Sequence, residues 1–221
     1  MLERTIATAT HGRYLVAPGT PPAPLLVGFH GYAELAEAAL ERLRAIPGAE
    51  RWTLVSIQGL NRFYNRRTND VIAGWMTRQD RELAIADNLA YVSSVVDAVS
   101  REWPPKGVEG STPPVIFSGF SQGVAMAFRA AAAATRPVGG VVAAGGDVPP
   151  EIPRDRLAAV NAVVLCRGVR DEFYTAEKFA ADRQRLTEAG VAVTPIEFDG
   201  GHEWSKEVIA AASRFLAGLI R

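Results

Sequence analysis

Gly119-Phe120-Ser121-Gln122-Gly123 fits the pattern G-x-S-x-G, and its surroundings decide how the chain folds. The apolar run Val115-Ile116-Phe117 precedes it, and a helix-forming run from Val124 to Thr135 follows. Strand, tight turn with serine at its tip, then helix is the context in which this pattern counts as a nucleophile elbow. A serine hydroxyl is a weak nucleophile, so it needs exposure, a base within hydrogen-bond reach and donors for an oxyanion. The sharp turn supplies the exposure, and the flanking glycines bring no Cβ where the backbone folds back. A glycine-flanked serine in an ordinary strand-to-helix loop carries the same letters. The rest of the chain must therefore supply the partners.

Strand and helix patterns alternate on both sides of this stretch. Thr5 to Thr10 and Arg13 to Ala17 read as two strands joined at His11-Gly12, an N-terminal antiparallel hairpin. Proline-rich residues 18–24 form a connector. Leu25 to Phe29 is fully apolar, as in a strand buried on both faces. Glu34 to Ile46 reads as a helix and Trp52 to Ile57 as the next strand. Residues 58–77 form a long irregular loop whose aromatic and basic content suits the lining of a pocket. Thr77-Arg78-Gln79-Asp80 fits a capping box. A helix runs from there to Ser100, with Leu83, Ala86, Leu89, Ala90, Val92, Val96 and Val99 near one face.

Pro114 to Ser118, Val138 to Ala144, Ala162 to Leu165 and Val191 to Phe198 read as further strands. Thr175 to Ala189 and Ser205 to Ile220 read as helices. The alanines from Ala130 to Ala134 let the helix after the serine pack close to a sheet. This alternation predicts an α/β fold with a mostly parallel central sheet and helices on both faces.

The 221 residues suit a single domain spanning positions 1–221. Apolar content of 48% and charged content of 22% are those of a globular protein. A formal net charge of zero argues against nucleic acid or an acidic membrane as a partner recognised by bulk charge. The single Cys166 excludes an internal disulfide. The opening residues MLERTIATATHGRYLV show no signal-peptide pattern, and no run approaches 18 uninterrupted apolar residues, so the expectation is a cytoplasmic chain without a membrane span. No H-E-x-x-H, cysteine pair, phosphate loop or dinucleotide fingerprint occurs, so no metal or cofactor is expected.

If Ser121 is a nucleophile, its base must be one of three histidines. His11 falls in the expected hairpin turn. His30 directly follows the Leu25–Phe29 strand. His202 lies in Asp199-Gly200-Gly201-His202-Glu203, between the last strand and the last helix, and a glycine-rich loop at a strand's C-terminal end can reach the elbow. The orienting acid should fall between serine and histidine in chain order. Asp171 is the first choice and Asp147 the alternative, with Glu172 a weaker neighbour. One oxyanion donor is the backbone N–H of Gln122, at a helix N-terminus, and Tyr32 in the loop after Leu25–Phe29 offers the second.

Phe29-His30-Gly31, the elbow, Gly168-x-x-Asp171 and Gly201-His202 occur in an order and spacing that resemble the phospholipase/carboxylesterase group of α/β-hydrolases, which includes the acyl-protein thioesterases. The resemblance covers nearly the whole chain. It implies a Ser121–Asp171–His202 triad, an oxyanion hole from the N–H groups of Tyr32 and Gln122, and a place for Trp75 near the substrate pocket. Two departures stand out. Tyr32-Ala33-Glu34 follows His30-Gly31 where the family usually has His-Gly-x-Gly-Asp, and Arg167-Gly168 replaces a usual His-Gly before the acid. The expected activity is hydrolysis of small-molecule carboxylic esters or thioesters through an acyl-enzyme. Two alternatives stay open: a non-catalytic binding protein on the same scaffold, and a hydrolase for peptides or anionic acyl compounds, motivated by Arg62, Arg66, Arg67 and Arg78.

Overall fold

The computed structural model describes residues 1–20, 22–105 and 113–219. Its centre is a seven-stranded sheet built from β1 (Tyr14–Ala17), β2 (Leu25–Phe29), β3 (Thr53–Ile57), β6 (Val115–Phe120), β7 (Val138–Ala144), β8 (Ala162–Gly168) and β9 (Ala192–Phe198), while β4 (Asn61–Tyr64) and β5 (Val71–Gly74) form a separate pair. The strand order is β1-β3-β2-β6-β7-β8-β9, parallel except for β1. The helices are α1 (Ala36–Arg44), α2 (Arg81–Glu102), α3 (Gln122–Ala133), α4 (Arg154–Leu157), α5 (Ala176–Glu188) and α6 (Lys206–Leu219).

Period-two alternation along the strands builds two cores, because successive side chains point to opposite faces. Val27, Phe29, Val55, Phe117, Val141, Val163 and Leu165 meet α2, α3 and α5 on one face. Leu26, Leu54, Ile116, Val142, Val164 and Cys166 meet α1 and α6 on the other. In α3, Ala127, Ala130 and Ala131 are buried, so the alanine run does bring this helix close to the sheet. α2 has the length and apolarity of a membrane span, and Val92, Val95, Val96 and Val99 on its buried stripe belong to the core.

Three local expectations need correction. The N-terminal antiparallel pair exists, but it joins Tyr14–Ala17 to Thr53–Ile57, and Thr5–Thr10 forms no strand. Residues 1–13 are exposed, and a stretch of threonine and alanine has little apolar surface to bury in exchange for its ordering entropy. The 58–77 segment is largely ordered as the β4–β5 hairpin, with Asn61 opposite Gly74 and Tyr64 opposite Val71. Its stability is tertiary: Ala33 N–H donates to Ala73 O at 2.9 Å and Ala73 N–H to Glu34 O at 3.0 Å, tying the hairpin to the loop after β2. Finally, the capping box does not form. Asp80 stands at the N-cap with φ 50° and accepts no capping bond, while Thr77 Oγ1 donates to Gln79 O. The expected end of the last helix at Ile220 lies outside the described residues.

The strand order reverses between β2 and β6: β3 and β1 lie to one side of this pair, and β7 to β9 to the other. Loops leaving the C-terminal ends of the strands diverge at such a point and leave a crevice, where ligands bind in open α/β sheets. Ser121 follows β6 and His30-Gly31 follows β2, so the sheet order itself places both at the switch point.

Candidate active site

Ser121 sits between β6 and α3 with φ 54° and ψ −122°, a conformation L-residues rarely adopt. Packing holds it there. A Cβ at Gly119 would fall 2.4 Å from Gly123 O, one at Gly123 would fall 2.2 Å from Phe29 O, and one at Gly146 would fall 2.3 Å from Ser121 O. Ser121 N–H donates to Ala144 O at 2.9 Å, continuing the β6–β7 ladder into the turn. The glycines of G-x-S-x-G are therefore steric requirements of a turn pressed against the ends of β2 and β7.

Asp171 and His202 meet. His202 Nδ1 lies 2.8 Å from Asp171 Oδ2, and Asp171 Oδ1 accepts the N–H groups of Phe173 and Tyr174, both at 2.9 Å. The Asp171 carboxylate is buried, whereas the imidazole is partly exposed. Rings on two sides hold the imidazole: Phe120 at 4.9 Å between centroids and Phe173 at 5.0 Å. Phe120 is the residue before Ser121, so one contact joins the elbow to the Asp–His pair. Gly145 and Gly146 supply a second link, since a Cβ at Gly145 would lie 3.1 Å from His202 Cε1 while Gly146 presses on Ser121 O.

The structure separates the other candidates from this cluster. Asp147 is half-exposed and pairs with Lys178 at 3.3 Å. Glu172 and His11 are exposed. His30 is fully buried: its Nε2 accepts the N–H of Gly59 at 2.9 Å, so Nδ1 carries the proton and donates to Gly31 O at 2.6 Å. Both of its nitrogens are committed to scaffolding. Burial, partly offset by the Gly31 bond, depresses its pKa, which favours the neutral ring. A buried base of this kind lowers stability in acid, because the unfolded chain binds the extra proton first. The expected result is a melting temperature that starts to fall as pH drops below about 6.5, the unperturbed histidine value. Thermal denaturation from pH 7.5 to 5 checks this, and His30→Gln should flatten the slope.

Trp75 is reassigned. It has 0% exposure, lies edge-on to Phe29 at 5.3 Å, and donates from Nε1 to His30 O at 2.9 Å. A pocket wall keeps an accessible face, and Trp75 keeps none. Its backbone N–H also donates to Gln122 Oε1 at 2.8 Å, so it anchors the elbow helix and the loop after β2 to each other. Trp75→Ala should cost about 3–5 kcal/mol in unfolding free energy, measured by urea denaturation, with no dependence on acyl-chain length in the fraction that stays folded.

Tyr32 is 60% exposed and its ring packs on Phe63 at 5.5 Å. Tyr32 and Phe63 line a groove of about 340 Å³ together with Asn61, Arg62, Gly74, Met76 and Thr77. A Cβ at Gly74 would touch both Tyr32 and Gln122 Oε1, so the groove opens beside the residue that follows Ser121. Arg62 lines this groove, whereas Arg66 and Arg67 stand in the exposed turn of the β4–β5 hairpin.

Sequence reasoning missed the supports of the site. Glu34 accepts the Gly31 N–H at 2.7 Å and pairs with Arg42 at 2.5 Å, and the Arg42 guanidinium lies 4.3 Å above the Phe120 ring. Burial is the largest single influence on Glu34 and opposes its ionisation, but the Arg42 bond and charge together with the Gly31 N–H outweigh it and hold the carboxyl below the usual range. Ala33, standing where the resembling family has glycine, takes φ 62°. Phe120 was open to discovery from its place inside the motif, whereas Arg42 carried no signal beyond a polar helix position. Among the described residues, no three His, Cys, Asp or Glu side chains converge to hold a metal.

Residues 11–220 match the family model described as Phospholipase/Carboxylesterase. Solved structures with the same fold include acyl-protein thioesterase 2 of Zea mays, at 16% identity and TM-score 0.70 over 96% of this chain and 100% of that one. A carboxylesterase of Bacillus cereus shows 15% identity and TM-score 0.71 over 95% of each chain. SOBER1 of Arabidopsis thaliana shows 16% identity and TM-score 0.71 over 90% of this chain and 100% of its own. No curated protein matches the sequence. At these identities the solved structures establish the fold alone, whereas the family model spans nearly the whole sequence: the chain belongs to the phospholipase/carboxylesterase family and is a hydrolase of the α/β-hydrolase fold.

Proposed function

We propose that this hydrolase cleaves small-molecule carboxylic esters or thioesters through a Ser121–His202–Asp171 triad. The carrying observation is the 2.8 Å His202–Asp171 contact, joined to the Ser121 turn through Phe120 and Gly145-Gly146. Ser121 Oγ attacks the acyl carbonyl while His202 Nε2 takes its proton. The tetrahedral oxyanion is met by the N–H groups of Tyr32 and Gln122. Collapse breaks the ester or thioester bond, and the imidazolium returns the proton to the leaving alcohol or thiol. Water, deprotonated by the same imidazole, then attacks the acyl-enzyme and frees the acid and Ser121. Asp171 keeps the proton on Nδ1 and stabilises the imidazolium. The thioesterase and carboxylesterase named among the solved relatives have the same architecture, which makes both ester types apt substrates.

A fluorophosphonate probe followed by intact-mass measurement tests the nucleophile. One adduct that maps to Ser121 is expected. An unlabelled, folded protein would favour the non-catalytic reading.

The Tyr32–Phe63–Met76 groove is the seat for the acyl chain. Phe63→Ala should reduce kcat/KM more for longer p-nitrophenyl esters than for acetate, by about 0.8 kcal/mol per CH₂ no longer buried. Equal losses across the series would remove the groove from acyl binding. Arg62, on the same groove, favours a second reading in which the substrate carries an anion. On that reading Arg62→Ala slows charged esters selectively, and high salt diminishes the difference.

A further inference from the structure

Asp182 on α5 is a buried carboxylate that the proposed chemistry does not use. Its Oδ2 accepts the N–H of Val148 at 2.9 Å and the Tyr174 hydroxyl at 3.0 Å. These donors belong to the two loops that flank the Asp171–His202 pair. Tyr174 is buried, and its own N–H donates to Asp171 Oδ1. Val148 ends the segment that starts at Gly145, which faces the His202 ring, and passes Gly146, which presses on Ser121 O.

Arg185, one helical turn further along α5, reinforces the grip on the same loop. Its guanidinium donates to the carbonyls of Val148, Pro149, Pro150 and Ile152. Burial pushes the Asp182 carboxyl up in pKa despite its two donors, so its ionised form detracts from stability instead of adding to it. The two loops that Asp182 joins are the one that carries Asp171 and the one whose Gly145 faces the His202 ring.

We propose that Asp182 is a positioning residue that clamps the Val148 and Tyr174 loops together and so sets the Asp171–His202 geometry. The inference rests on the triad reading given above. Without the clamp, Tyr174 can withdraw its N–H from Asp171, and Gly145 can move off the imidazole. The imidazole then samples orientations from which Nε2 does not reach Ser121, and misplacement of this kind lowers kcat without weakening substrate binding.

The test compares Asp182→Ala, Asp182→Asn and Tyr174→Phe with the wild-type protein. Two quantities are read: kcat and KM on a p-nitrophenyl ester, and the downfield proton resonance of the His202 Nδ1–H hydrogen bond. In folded Asp182→Ala, kcat should fall about 10- to 100-fold with KM little changed, and the resonance should shift or broaden. Asp182→Asn keeps a carbonyl oxygen able to accept both donors and should recover most of kcat and the native resonance. Tyr174→Phe removes one donor and should fall between them. It decides the question if Asp182→Ala fails to fold.

A folded Asp182→Ala with unchanged kcat and an unmoved resonance would overturn the clamp, as would Asp182→Asn as impaired as Asp182→Ala. If the wild-type protein turns over no ester or thioester, the triad reading falls, while the resonance still reports whether Asp182 sets the Asp171–His202 contact.

Discussion

Ser121→Ala should lose on the order of 10⁶ in kcat while keeping its fold and its melting temperature. The expectation follows from the shape of the turn. Backbone constraints hold Ser121 at φ 54°: the N–H bond to Ala144 O, the Gly146 contact on its carbonyl and the Gly123 contact on Phe29 O. None involves Oγ, so removing Oγ leaves every one in place. The strained conformation costs about 1–3 kcal/mol in any L-residue, and Ser121→Gly should therefore be more stable than wild type and equally inactive. A turn that stores strain to present one hydroxyl is expected at a functional site rather than in a structural loop. Ester hydrolysis by the purified variants, alongside their thermal unfolding, is the check. Retention of a tenth of wild-type activity by Ser121→Ala would displace Ser121 as nucleophile.

Asp171→Asn should lose about 10⁴ in kcat, and the structure supplies the reason in detail. Asp171 Oδ1 accepts the N–H groups of Phe173 and Tyr174. In the variant those two donors keep the carbonyl oxygen of Asn on their side and turn its NH₂ toward His202 Nδ1. An NH₂ there forces Nδ1 to accept, which puts the imidazole proton on Nε2, where Ser121 needs a base. The side chain is nearly isosteric, so the loss should appear in kcat with little change in unfolding free energy. Asp147→Asn is the matched control. Its carboxylate is half-exposed against Lys178, and little effect is expected. The opposite ranking of the two variants in kcat would move the acid to the loop after β7.

The order of strands and helices was legible because each buried strand is a short apolar run and each helix carries a buried stripe. Such local patterns survive into the fold when burial enforces them, as in Val138–Ala144, which is a strand over the expected bounds. The errors fell where burial does not enforce the pattern. Thr5–Thr10 has strand-like letters but remains exposed, and Tyr14–Ala17 finds its partner in Thr53–Ile57, more than thirty residues away. The β4–β5 hairpin carries no clear alternation, and it is held through Ala73 by the loop after β2, a contact that no local window contains.

At the site the same division holds. Ser121, Asp171 and His202 were nameable from the sequence as candidates because each sits at a strand's C-terminal end in a glycine-marked loop, and the proposed chemistry constrains their order. The preference for Asp171 over Asp147 became geometry only when β8 and β9 brought Gly168 beside Phe198, which places Asp171 and His202 on neighbouring loops. Trp75 shows the converse: an aromatic residue in a long polar segment reads as a pocket wall, yet three-dimensional packing buries it against Phe29 and His30. Glu34–Arg42 and Asp182–Tyr174 were beyond sequence reading for a further reason. A charged or hydroxyl side chain on a helix or in a loop looks the same whether it faces water or a neighbouring loop. The amino-acid sequence by itself determined the succession of the buried strands and the longer helices, the elbow and the identities of the candidate nucleophile and base, since these rest on backbone sterics and side-chain periodicity. The tertiary structure alone decided which candidate acid meets His202, which aromatic residues face the groove and which polar residues brace the candidate site, since these depend on contacts between segments far apart in the chain.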